Sequence, residues 1–190
     1  MTPEGFVDWA PEQLAPNETM LHRPDPSEYN PYYDGYIRAA GEGDIIQILA
    51  DEGENAVRLF DGIEPERGRY RYEEGKWSLA EVLGHIVDTE RLFSYRALRI
   101  ARGDTTPMPG MDQDQWVAGS DFDARGLASL SKEFLALRAS NISLFSSFTD
   151  EECVRIGNAS GFDFSVRALI YITAGHAMHH VRVIEDRYLP

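Results

Sequence analysis

The chain is poor in cysteine. Cys153 is the single one among 190 residues, which excludes an internal disulfide and any multi-cysteine metal site. Basic residues are also scarce. Lys and Arg number 18 against 32 Asp and Glu, a formal charge of −14, and such a surface repels nucleic acid and anionic membranes alike. No stretch approaches the roughly 18 continuous apolar residues of a membrane span. The opening MTPEGFVDWAPEQ has no basic region and no apolar run, so no secretory signal is expected. A cytoplasmic protein is the expectation, and the N-x-S/T triplets at Asn17, Asn141 and Asn158 are read as chance matches. Several catalytic signatures are missing too. There is no phosphate-binding G-x-x-x-x-G-K-[ST] loop, no H-E-x-x-H and no G-x-S-x-G elbow, since Gly157-Asn-Ala-Ser160-Gly161 has the wrong spacing.

Proline is unevenly spread. Six of the ten prolines lie within residues 1–33. That density blocks helices and strand ladders, so an extended N-terminal arm is expected there. Phe6, Trp9, Leu14, Tyr29, Tyr32 and Tyr33 can pin it, either to its own core (the preferred reading) or across to a partner in a homodimer. Residues 34–190 then form the folded domain.

Four segments of that domain show helical spacing of apolar residues: about 43–61, 78–102, 124–148 and 165–187. The second opens on a capping box, Ser78-Leu-Ala-Glu81. Ser165 is the expected N-cap of the fourth. Between the second and third lies a long loop, 103–123, with two Pro, three Gly and five Asp. Loops of that length are uncommon inside a compact domain and often functional. Met111–Asp114 and Trp116 in this loop are candidates to border a pocket. Four amphipathic helices with almost no alternating pattern predict an all-α four-helix bundle.

The histidines carry the chemistry. Three of five sit in Gly175-His-Ala-Met-His-His180 on the fourth helix. His176 and His180 are a helical turn apart, separated by roughly 40° around the axis. His180 falls inside the apolar stripe, His176 at its edge and His179 outside it. Two imidazoles at i and i+4 facing a bundle interior can chelate one metal from one helix. A third ligand must come from a facing helix, and His85 is the only other histidine in a predicted helix. Three neutral imidazoles leave a divalent ion open positions for water or substrate. Such a site suits Zn, Ni, Fe or Cu, and ligand type alone does not choose among them. The plainer alternative stays open: a lone buried histidine such as His85 is more often a satisfied core residue than a ligand. His179 is a rival ligand if the last helix is rotated or bulged, and His22 reads as a surface residue. Asp88 or Glu90 can orient a ligand's second nitrogen, although a charge pair with an arginine of a neighbouring helix is preferred for Glu90. Arg91, Arg96, Arg99 and Arg102 read as a solvated basic flank. Cys153, beside Glu151 and Glu152, reads as inert.

These residues also support a resemblance. The run GKWSLAEVLGHIVDTER over 75–91, YRALRIARGD over 95–104, PMPGMDQD over 107–114 and AGHAMHHVRVI over 174–184 resemble the DinB/YfiT-like metalloenzyme superfamily, with a match over about 29–190. The resemblance implies a four-helix bundle of up-down-down-up order, with the 103–123 loop as the crossover that this order requires. It implies a divalent metal on a histidine triad, here His85, His176 and His180. It implies a small-molecule substrate and, from relatives of known activity, a low-molecular-weight thiol as co-substrate. The leading expectation is therefore a metal- and thiol-dependent S-transferase acting on small electrophiles. A metal-dependent hydrolase using a metal-bound water is the first alternative, and a non-catalytic helical bundle the second.

Overall fold

In the computed structural model, residues 21–189 are described. The arm residues Phe6, Trp9 and Leu14 lie outside them. From residue 21 on, the chain runs along the folded body through two short 3-10 turns, Pro26–Glu28 and Pro31–Tyr33. Leu21 and Tyr29 are buried, Tyr171 donates a hydrogen bond to the Leu21 carbonyl at 3.1 Å, and Glu28 pairs with Arg167. Tyr33 packs edge-on against Phe93 and Phe164.

Four long helices make the body: α2 (Ile45–Asp61), α3 (Leu79–Ala101), α6 (Leu127–Ser146) and α8 (Val166–Val183). They correspond to the four predicted segments. A short helix, α1 (Asp34–Ala39), precedes them, and three more sit between them: α4 (Gln113–Ala118), α5 (Phe122–Arg125) and α7 (Asp150–Cys153). In cross-section α2 packs on α6, α6 on α3, α3 on α8, and α8 back on α2. Contacts at the ends fix the directions. Ser131 at the start of α6 meets Asp61 at the end of α2, so these two are antiparallel. Arg102 just past α3 lies over Phe148 just past α6, so those two are parallel. His85 early in α3 meets His176 and His180 late in α8, so that pair is antiparallel. The order is up-down-down-up.

Two parallel neighbours in sequence order require a connection that travels the length of the bundle. The expected loop supplies it, but not as bare loop. It holds α4 and α5, and Phe122 of α5 stacks so closely on Gly84 of α3 that any Cβ there would overlap its ring. Asp123 accepts a hydrogen bond from the capping Ser78 at 2.5 Å. Gly126, with φ of +73°, separates α5 from α6, so the predicted single helix from 124 is broken there. At the other end of the crossover, Met108 adds backbone hydrogen bonds to a hairpin. This hairpin is a departure from the all-helical expectation: β1 (Ile156–Ala159) pairs with β2 (Phe162–Ser165) around a Ser160-Gly161 turn. The expected fourth helix stops at Val183 and ends in a π turn, Ile184–Tyr188.

The interior has two apolar clusters, one around Ile45, Phe93, Phe145 and Leu169, the other around Phe60, Leu83, Phe134 and Ile184. Between them each long helix contributes buried polar groups: Glu52 from α2, Thr89 and Glu90 from α3, Arg138 and Asn141 from α6, His176 from α8.

Candidate metal centre

The capping box fixes where α3 begins. Ser78 Oγ accepts from the Glu81 amide at 3.1 Å, and Glu81 accepts from the Ser78 amide at 2.7 Å. Leu79, Leu83 and Ile86 then bury fully, which turns His85 inward. α8 begins equally sharply, with Ser165 Oγ accepting from the Ala168 amide at 3.0 Å. Its residues Val166 to Ala177 are buried almost without interruption. His176 lies in that stretch, and His180 is half-buried one turn later.

The three imidazoles meet between α3 and α8. One ring nitrogen from each lies within 4.8 Å of the others. His85 Nε2 and His176 Nε2 are 3.1 Å apart. Ring centroids are 5.0 Å apart for His85 and His176, 4.8 Å for His85 and His180, and 4.6 Å for His176 and His180. Burial holds all three neutral. His85 is pushed down to about 4 and His180 to about 3, while His176 lies well below the ordinary imidazole range, with its histidine neighbours adding to the burial. Neutral imidazoles keep a free lone pair, which is the form that ligates a metal. The donor set thus fits a divalent ion of the kind that prefers nitrogen. Three such ligands leave coordination positions open for a reacting group.

Aromatic rings wall the site. Trp77 lies 4.8 Å from the His85 ring, Phe93 5.9 Å and Tyr36 5.5 Å from the His176 ring. Tyr36 reaches it because Gly175 has no side chain: a Cβ there would fall inside contact distance of the Tyr36 carbonyl oxygen. His85 Nδ1 faces the Thr89 hydroxyl at 3.4 Å, one turn along the same helix. His179 is exposed, with its ring 5.1 Å from that of His180 and 5.4 Å from that of Tyr36. The apolar stripe put His180 deeper than His176, and the structure reverses this, because α1 covers the His176 side of α8.

Other candidates sort differently. Glu90 is a charge-pair residue: both its oxygens accept from Arg138, at 2.8 and 2.7 Å, and Asn141 adds a third bond at 3.1 Å. Asp88 turns toward Arg91, at 3.8 Å, and stands in the field of Arg125 and Glu133 rather than beside the imidazoles. The residue that faces a histidine's second nitrogen is Thr89, not a carboxylate. Arg91, Arg99 and Arg102 pair with Glu133, Asp104 and Glu152, as expected of a solvated flank. Arg96 departs from it: it is buried and donates to the Pro109 carbonyl at 2.8 Å and Ser160 Oγ at 3.0 Å, tying the crossover to the hairpin. Cys153 is buried, and burial with Asp150 and Glu152 raises its thiol to about 11. His22 is exposed. In the long loop, Trp116 is 44% exposed on α4, and Asp112 caps that helix. Composition did not single out Trp77, Tyr36 or Thr89. Thr89 was the most accessible of them, at i+4 from His85.

A bundle of up-down-down-up order with three inward imidazoles on its second and fourth long helices is the architecture of a distinct class of helical proteins. The family model of the DinB superfamily matches residues 48–184, and the chain belongs to that family. Among solved structures it is similar to YfiT from Bacillus subtilis, described as "a probable metal-dependent hydrolase with an unusual four-helix bundle topology". That match has a TM-score of 0.70 and 16% identity, covering 87% of this chain and 90% of YfiT. The chain is also 27% identical over 117 residues to a protein of Oceanobacillus iheyensis named "Putative metal-dependent hydrolase". That alignment spans 60% of this chain and 66% of the relative, a little under two thirds of its length. Among the described residues no helix is long and apolar enough to cross a membrane.

Proposed function

We propose that this chain is a metal-dependent enzyme acting on a small molecule, with His85, His176 and His180 holding a divalent ion. The observation that carries the reading is the convergence of three neutral ring nitrogens, two buried and one half-buried, within 4.8 Å of one another from two facing helices. A divalent ion held there would act as a Lewis acid and lower the pKa of a coordinated water or thiol. The chain's own part is to fix the ligands, exclude bulk water with Trp77, Tyr36 and Phe93, and keep one face open. His176 is covered by α1, so access lies on the half-buried His180 side. Hydrolysis is the first reading, supported by the descriptions carried by YfiT and the Oceanobacillus protein.

Thiol S-transfer to a small electrophile is the second reading, and one observation favours it. Among the described residues no Asp or Glu joins the imidazole cluster, and Asp88 faces Arg91. A water on a divalent ion such as zinc still titrates at roughly 7 to 9, whereas a coordinating thiol is deprotonated outright, so the water needs a proton acceptor more than the thiol does. The test is metal content of untagged protein by mass spectrometry, for wild type, His85→Ala and His180→Ala. Turnover of an ester and amide panel is then read with and without added low-molecular-weight thiol. Near-stoichiometric metal in wild type only, with thiol-independent hydrolysis, supports the first reading. Turnover that requires thiol supports the second. A wild type that takes up neither Zn nor Ni overturns both.

A further inference from the structure

A second site lies on another face of α8. Met178, Val181 and Arg182 recur at helical spacing roughly opposite His176, and Glu185 of the following π turn continues the line. They face α2 across a cavity of about 400 Å³, whose other walls are Ala40, Glu42, Ile48, Asp51, Glu52, Asn55 and Ala56. The volume suits a small organic ligand. The wall is amphipathic: Ile48, Ala56, Met178 and Val181 are apolar, while Glu42, Asp51, Glu52 and Glu185 are acidic; Arg182 is the one cation of the wall itself, with Arg23 paired to Glu42 and Arg138 to Glu52 from outside it.

Glu52 separates this cavity from an ordinary acidic surface. It is 7% exposed, and only its Oε2 is bonded, to Arg138. Its Oε1 is buried with no hydrogen-bond partner. Arg138 is itself 2% exposed and divided between Glu52 and Glu90. One guanidinium facing two buried carboxylates leaves this group one positive charge short. A buried carboxylate oxygen without a donor is costly. An N–H donor with a positive charge would remove both deficits together, once the carboxylate turns its buried Oε1 toward the cavity that Glu52 lines.

We propose that the cavity between α2 and α8 binds a small organic cation, a primary alkylammonium whose charged end meets Glu52 and whose stem lies along Ile48, Ala56, Met178 and Val181. Glu42 is already paired with Arg23, but the rim carboxylates Asp51 and Glu185 favour a second ammonium at the far end of the stem, so a short α,ω-diamine fits better than a monoamine. The site shares no residue with the imidazole cluster and does not rest on the metal reading.

The test is isothermal titration of the full chain with 1,4-diaminobutane, with butylamine, with butanol and with calcium chloride. Saturable one-to-one binding of the diamine, weaker binding of butylamine and none of butanol is expected. Glu52→Gln keeps the shape and a hydrogen-bonding oxygen for Arg138 but removes the charge, and it weakens diamine binding at least about tenfold, the 1.4 kcal/mol step of a lost charged contact. Met178→Trp fills the cavity and abolishes binding without touching a charge. Arg182→Ala removes the competing cation and tightens it. Absence of diamine binding, or binding unchanged in both Glu52→Gln and Met178→Trp, overturns the proposal. So does calcium binding at the same site with comparable affinity, because the apolar wall would then play no part.

Discussion

Arg138 is the residue on which the interior polar layer turns. It satisfies Glu90 with two hydrogen bonds, Glu52 with one and the Leu49 carbonyl with another at 2.8 Å. Burial raises the Glu52 carboxyl, Arg138 opposes the rise and Glu90 adds to it. A carboxyl raised on folding binds its proton more tightly in the native chain than in the unfolded one. Its contribution to stability is therefore greatest at acid pH and is lost as pH climbs from the ordinary carboxylate range through the raised value. Glu52→Gln is thus expected to be more stable than wild type at pH 7, because it removes one of two buried carboxylate charges that share a single guanidinium; the gain is held to about 1 kcal/mol, since the amide nitrogen that replaces Oε1 is itself a buried donor without a partner. The gap should narrow toward pH 4. Urea melts at the two pH values check this, and a wild type that is the more stable at pH 7 refutes it. Removing Glu90 acts the other way. Glu90→Ala leaves Asn141 and half of Arg138 unpaired, and the expected loss is about 3–5 kcal/mol. If the imidazoles hold an ion, Thr89→Val, which removes the hydroxyl facing His85 Nδ1, should weaken metal affinity about 10-fold or more, measured by chelator competition. At this scale the sequence was partly legible. The i and i+4 spacing in 176–180 marks the imidazoles, and the position of Glu90 marks a charge pair. That its partner is Arg138, and that Arg96 is buried, depends on which helices are neighbours, which no local pattern encodes.

Elements were legible where their ends carry chemistry. Ser78 and Ser165 mark the starts of α3 and α8 because each hydroxyl takes an orphan amide, and both caps form as expected. Ser78→Ala should cost about 1 kcal/mol from the cap alone. The bond to Asp123 is lost with it, which loosens α5, although Phe122 on Gly84 and the Arg71–Asp123 pair still hold it. Thermal melts beside Asp123→Ala, which removes the acceptor and leaves the cap, separate the two contributions. Elements whose bounds depend on close approach were not legible. α1 is six residues long and buries only Ile37, too little for a periodic signal. The hairpin has four residues per strand, and its register is held by Met108 from the crossover. Gly175 shows the same dependence. Gly175→Ala should push α1 off α8, lower the melting temperature and loosen the imidazole cluster through Tyr36. Gly35→Ala, which meets nothing within 4 Å, should do none of this. Equal melts for the two variants would show that α1 does not hold the site.

For the whole molecule, the bundle class followed from four amphipathic segments, whereas the up-down-down-up order came with the family resemblance and not from periodicity. Nothing in the spacing of apolar residues distinguishes α6 running parallel to α3 from α6 running against it. The order is read instead from pairs such as Arg102 over Phe148. If the imidazoles hold an ion, stripping it with a chelator should lower the melting temperature by about 5–10 °C in a chain of this size, since a ligand at 100 times its Kd contributes about 2.7 kcal/mol. Re-addition of Zn or Ni should restore it, and His176→Ala should respond to neither. The distribution of the ligands along the chain has a kinetic consequence. His85 and His176 are 91 residues apart in sequence. Between them lie the crossover, α6 and the hairpin. A folding intermediate that has formed α3 and α6 offers a single imidazole and cannot compete for an ion. On the proposed metal reading, metal capture would act as a timer: its rate would report the docking of α8, so tight binding in refolding chains should lag behind helix formation and coincide with the packing of Trp77 beside His85.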